Sequence, residues 1–241
     1  MPPCQSHETR HARDSHLAAH RHHRPYAALV VEGEYTEMSA EGAFGCAPGT
    51  LLLHPAFHMH GNRFGRHGAR VVNVELPEGV VAADLRVLQV PHLREALDVF
   101  ASGGSELDEL IATSHGQTAN DNPEWQVELL SALIASDVPV GTLCRRVGVS
   151  AAHASRALQR THGLGPQLLR RELRWRQALT LLHGETSLSS IALDCGFADQ
   201  AHFTRVTQAF TGMTPGALRR QIKRDPGATP MAAVRESSVA S

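Results

Sequence analysis

Val140, Leu143, Cys144 and Val147, followed by Gly148, recur 48 residues later as Leu188, Ile191, Ala192 and Cys195, followed by Gly196. Each set sits at i, i+3, i+4 and i+7, the stripe of a helix that buries one face. The glycine after each stripe permits a positive φ, so the chain can turn sharply there. Beyond it a second apolar stripe begins: Ala154, Ala157 and Leu158 after Ser150, and Phe203, Val206 and Phe210 after Asp199. Ser150 and Asp199 are residue types that cap a helix N-terminus. Two short amphipathic helices crossing steeply at a glycine make a helix-turn-helix. The repeat predicts two such units in an all-α segment, and no strand signal interrupts it between Pro123 and Arg224.

Charge divides the chain at the same place. The formal net charge of the 241 residues is -1, but residues 123–224 carry thirteen Arg and Lys against seven acidic residues, while residues 1–122 carry nine against fifteen. A basic segment joined to an acidic one implies a polyanionic partner for the basic segment alone. Helices that read DNA need small polar or basic side chains opposite their core stripe. The first candidate offers Ala152, Ser155 and Arg156, and the second Gln200, Ala201, His202 and Arg205. Arg156 and Arg205 suit guanine and Gln200 suits adenine. Arg160, Arg170, Arg171, Arg219, Arg220 and Lys223 suit phosphates, which position a protein without specifying sequence. The competing reading is a helical interaction domain with a solvated basic face.

The string from Ile191 through Gly196-Phe197 to Phe203-Thr204-Arg205, followed by Phe210, Gly212, Thr214-Pro215 and Arg219, resembles the signature of AraC/XylS-type transcription regulators. Ser150, His153, Arg156, Gly163, Pro166, Leu173-Arg174, Ala178 and Leu181-Leu182 continue the resemblance, which covers about residues 125–222. It implies seven helices in two homeodomain-like helix-turn-helix subdomains, joined by a long helix from about Pro166 to Leu182. It also implies double-stranded DNA and RNA polymerase as partners and a role as an activator. The sequence departs from that pattern at Ala154 and Leu158, where larger residues are usual, and at Thr207-Gln208, which replaces a Phe-Lys pair. These departures predict looser packing of the first unit and one weaker phosphate contact.

Residues 17–76 alternate short apolar runs with turn residues: Ala27 to Val31 before Gly33, Leu51 to Leu53 before Pro55, Val71 to Val74 before Pro77. This spacing predicts a small β-barrel or sandwich. Helical periodicity from Pro91 to His115 adds short helices. Ten of the sixteen histidines fall at or before His67. In an HxH pair on a strand both rings share a face, so His20 and His22 point together. His58 and His60 can complete a nitrogen site for a divalent metal, to which a resemblance to cupin-like domains would add Glu32 and Glu34 as extra candidates. The alternative is barrel and surface histidines without metal. The segments around His20 to Gly33 and Pro48 to His60 weakly resemble cupin-like sensor domains, which implies a small-molecule effector, or a homodimer contact, for this half.

The expected organisation is a flexible arm at 1–16, a cupin-like domain at 17–116, a linker at 117–123, the DNA-binding domain at 124–224 and a disordered tail at 225–241. Cys4, Cys46, Cys144 and Cys195 form no CxxC pair and read as reduced. No apolar run reaches the ~20 residues of a membrane span and the N-terminus lacks a secretory apolar core, so a bacterial cytoplasmic protein without a membrane partner is expected. The leading expectation is a transcription regulator that is not an enzyme. A metal-dependent cupin enzyme fused to a nucleic-acid module is the rival, and an architectural DNA binder without a cavity is the other.

Overall fold

The computed structural model describes residues 6–77 and 84–224. Its first half is an eight-stranded antiparallel sheet of β1 (Ser6–His11), β2 (His16–Arg21), β3 (Tyr26–Ser39), β4 (Gly42–Cys46), β5 (Thr50–His54), β6 (Met59–Glu75), β7 (Arg86–Gln89) and β8 (His115–Gly116). The path runs β1-β6-β3-β5-β7-β8, with β2 also on β6 and β4 also on β3. β3 and β6 are long enough to take two partners each along one side, and they bend together where their register shifts. At that bend Gly33 has φ +73°, and a Cβ there would lie 2.0 Å from the carbonyl oxygen of Gly68, so side chains are excluded.

Alternation along β3 splits the apolar residues between two faces. Ala27 and Leu29 join Leu51, Leu53 and Val74 beneath α1 (Leu93–Ala101) and α2 (Leu107–Thr113), which contribute Ala96, Phe100, Leu107 and Leu110. Ala28 and Val30 face the concave side with Tyr35, Phe44, Leu52 and Phe64.

Three expectations are corrected. The sheet is open and does not close into a cupin-like barrel: β1 and β8 end the path without pairing with each other. The arm expected at 1–16 is structured over its described part, since Ser6–His11 pairs residue by residue with Ala69–Val74 and His16 opens β2. It carries few apolar residues because it is an edge strand with one face in solvent. Glu32 and Glu34 are exposed, and Glu32 accepts a hydrogen bond from Arg70 at 2.8 Å.

Residues 117–123 follow the sheet closely: the Gln117 amide donates to Val87 and the Asn120 amide to Ala43. Cys46, Cys144 and Cys195 are buried free thiols. Cys4 and the tail expected at 225–241 lie outside the described residues.

Among its described residues the second half holds seven helices: α3 (Glu124–Ala135), α4 (Val140–Arg146), α5 (Ala151–Thr161), α6 (Pro166–Leu181), α7 (Leu188–Asp194), α8 (Gln200–Thr211) and α9 (Pro215–Arg224). α4–α5 and α7–α8 are the two repeats, and α6 joins them. Gly148 and Gly196 take φ of +77° and +71°, the left-handed turn that the sequence predicts. One core gathers Leu129, Leu133, Leu143, Cys144, Leu158 and Leu169, and the other Trp175, Ala178, Ile191, Ala192, Phe203 and Leu218. Each accepts a residue from the sheet half, Ala40 in the first and Phe57 in the second.

Candidate functional site

Ser150 accepts a hydrogen bond from the His153 amide at 3.1 Å, and Asp199 accepts one from the His202 amide at 2.6 Å. These caps start α5 and α8 at matching points of the two repeats. Ala152, Ser155, Arg156 and Arg160 on α5 are exposed, as are Gln200, Ala201 and Arg205 on α8. Arg156 and Arg205 have no hydrogen-bond or ion-pair partner among the described residues, which leaves their guanidinium donors to solvent or a ligand.

Other expected DNA residues are engaged within the fold. The His202 ring accepts from the Ala198 amide at 3.3 Å and meets the Phe197 ring edge-on. Arg219 donates to the Thr186 carbonyl, and Lys223 pairs with Glu185. Arg170 donates to Val138 at 2.7 Å, and Arg171 lies over Phe210. At the departures noted in the sequence, Ala154, Leu158 and Thr207 are fully buried. Thr207 donates to the Phe203 carbonyl.

A second site opens on the concave face of the sheet, a pocket of about 510 Å³ lined on its polar side by His20, His22, Tyr26, Glu37, His54 and His60. His20 and His22 come together as expected, their Nε2 atoms 3.1 Å apart, and His60 joins them. His58 does not join that group. It forms a second, fully buried set with His54 and His60. Burial, followed by the charge of neighbouring histidines, holds His54 and His60 well below the usual histidine range. Burial likewise raises Glu37 well above the carboxylate range against the hydrogen bond from Asn62.

The two sites are joined by ion pairs that the sequence reading missed. Arg21, between the two mouth histidines, reaches the other way to the buried Glu172 of α6 with both terminal nitrogens. Its guanidinium also covers Phe210 at 4.0 Å and Trp175 at 5.2 Å. It donates to the carbonyl of Phe57, an aromatic residue held at φ +61°, whose amide donates to His22 at 2.7 Å. Arg176 of α6 pairs with Glu41 and Asp84 of the sheet half, and Glu41 also meets His58 Nε2 at 3.1 Å. Burial works to raise the Glu41 carboxyl, but His58 and Arg176 outweigh it and hold it well below the usual range. One signal was available: Glu172 interrupts an apolar stripe of Leu169 and Trp175, where a carboxylate needs a partner.

Residues 143–221 match a helix-turn-helix domain family. The regulatory protein PocR of Salmonella typhimurium is 26% identical over 150 residues, 61% of this chain and 50% of that protein, so the chain spans about half the length of this curated relative. Among solved structures, ToxT from Vibrio cholerae O395 is similar over 92% of this chain and 99% of its own, at 13% identity and a TM-score of 0.42. A transcriptional regulator with an AraC-type DNA-binding domain from Chromobacterium violaceum is 28% identical, covering 42% of this chain and 94% of its own, at a TM-score of 0.38.

Proposed function

We propose that this chain is a sequence-specific transcription regulator of the AraC/XylS type, reading DNA with both α5 and α8. The observation that carries the reading is the pair of exposed helix faces at either end of α6, each with an unpartnered arginine, Arg156 and Arg205. Two such faces on one connecting helix suit successive major grooves about 34 Å apart. One chain then covers an asymmetric site of about two helical turns. Arg160 and Arg220, exposed beside these faces, supply phosphate contacts.

The pocket on the sheet is the effector site in this reading. It has the volume for a small ligand, the buried Glu37 carboxyl and histidines at its polar end, and Phe64, Val71 and Leu17 elsewhere. The ion pairs to α6 give effector binding a route to the DNA-binding helices.

Footprinting of the purified chain on genomic fragments tests the proposal. Protection is expected over two successive major grooves on one DNA face, with affinity falling steeply as salt rises through counterion release. Protection of a single groove would leave only one unit reading DNA, and affinity independent of salt would remove the phosphate contacts from the reading.

A further inference from the structure

His20, His22, His54 and His60 line the polar end of the pocket, with His58 packed against His54 and His60, and DNA reading uses none of them. One ring nitrogen from each of His54, His58 and His60 lies within 4.8 Å of the other two, and all three residues are buried. His58 and His60 each face an oxygen at hydrogen-bond distance through Nε2, Glu41 at 3.1 Å and the Tyr26 hydroxyl at 3.2 Å, while His54 Nε2 lies 3.8 Å from Glu37, beyond hydrogen-bond reach. The three Nδ1 atoms, by contrast, are buried without a hydrogen-bond partner. Buried polar atoms are nearly always satisfied, so three bare nitrogens on adjacent rings call for a ligand. A ring oriented by an oxygen at one nitrogen and free at the other is the arrangement of a metal-ligating histidine, in which the outer oxygen fixes tautomer and direction.

We propose that His54, His58 and His60 bind one divalent transition-metal ion, and that Glu41 and Arg176 pass its occupancy to α6. Imidazole donors suit zinc, nickel, cobalt or copper, whereas magnesium and calcium take oxygen ligands. Three protein nitrogens leave a coordination position for water or a ligand from the pocket. His20 and His22, more exposed and sharing His60 as neighbour, form the way in.

The link to α6 is a single carboxylate. Glu41 takes His58 on one side and Arg176 on the other, and it also accepts from the Leu85 amide at 3.2 Å. An ion on His58 adds positive charge beside a carboxylate that already anchors α6, so ion and DNA affect each other's affinity equally. The second half of the proposal rests on the DNA-binding reading; the first half does not.

Zinc and nickel alone are the probes, titrated calorimetrically into the metal-free full chain. One ion per chain at micromolar affinity or tighter is expected, with visible bands of nitrogen-coordinated cobalt on cobalt substitution. A wild-type chain that binds neither ion overturns the site, whatever the variants do. His54→Gln and His58→Gln should each weaken binding at least 100-fold, and His22→Ala by less than 10-fold. The reverse order would move the ion to the mouth and overturn the buried set.

Coupling is read as DNA affinity with and without zinc. A change of at least fivefold is expected for wild type and none for Glu41→Gln that still binds zinc. Equal affinities in wild type overturn the relay and leave the site standing. A chain that binds zinc but no DNA overturns the relay together with the DNA-binding reading.

Discussion

In the first helix-turn-helix unit α5 turns Ala154, Ala157 and Leu158 inward; in the second α8 turns in Phe203, Val206 and Thr207. The spacing is shared and the packing is not. The small residues of α5 bring it close to its neighbours, and the core is filled from α3 by Leu129 and Leu133. α8 fills its own core with an aromatic ring. The ends differ too. α5 runs into the buried His162 and then Gly163, whose Cβ position lies 3.3 Å from Met38 of the sheet, whereas α8 ends at Gly212, with nothing within 4 Å of the same position. The first unit is thus packed against the sheet half at the end of α5, and the second is tied to it by the Arg21–Glu172 pair and Phe57. Identical stripes specify a motif, while the residues between them decide what it leans on.

The sharpest test of this contrast is truncation in each core. Phe203→Ala should cost about 3–5 kcal/mol, while Leu158→Ala should fall toward the lower end of the ~2–5 kcal/mol range, because its smaller cavity is ringed by α3 and Leu164. Urea unfolding of both variants measures the difference, and equal costs would mean that the two cores are equivalent despite their composition.

An acid-labile joint should separate the units next. Burial pushes His162 down to about 4, and the unfolded chain titrates near 6.5. Between those values the unfolded chain binds a proton that the native chain refuses, so stability is present above pH 6.5 and is lost as pH falls toward 4, by at most ~3 kcal/mol. Thr211 and Gly212 occupy the corresponding end of α8. The urea midpoint followed from pH 7.5 to 4.5 should therefore flatten in His162→Gln; an unchanged pH slope would show that the joint is not where the first unit yields.

A smaller effect is expected at the DNA. Arg156→Ala and Arg205→Ala should each reduce base discrimination by roughly 1–3 kcal/mol at different positions of one site. Selection of binding sites from random DNA reads this directly. Relaxation at the same position in both variants, or in neither, would break the assignment of one groove to each unit.

The helical half was legible because its signals are local. A stripe, a glycine and a cap lie within ten residues of one another, and the φ values and capping bonds follow from them. The sheet half was legible only strand by strand. Whether it closes depends on edges far apart in sequence, and β1 shows no apolar alternation because His7, Thr9 and His11 line a pocket while Glu8 and Arg10 meet solvent. His54 was passed over because it ends an apolar run, Leu51 to Leu53, that reads as core. The pairs Arg21–Glu172 and Glu41–Arg176 span 151 and 135 residues, a separation at which sequence spacing carries no geometric information.

At the end of β2 the residues alternate sides, so Arg21 faces the helical half while His20, and His22 just beyond the strand, face the pocket. Recombination between related regulators is constrained by that one tripeptide. A chimera that joins this sheet to a foreign helical unit brings Arg21 and Glu41 without Glu172 and Arg176, leaving a guanidinium and a carboxylate stranded at the seam. Transplanting the sheet half as an intact module therefore means keeping four charged residues together, two from each side of the crossover.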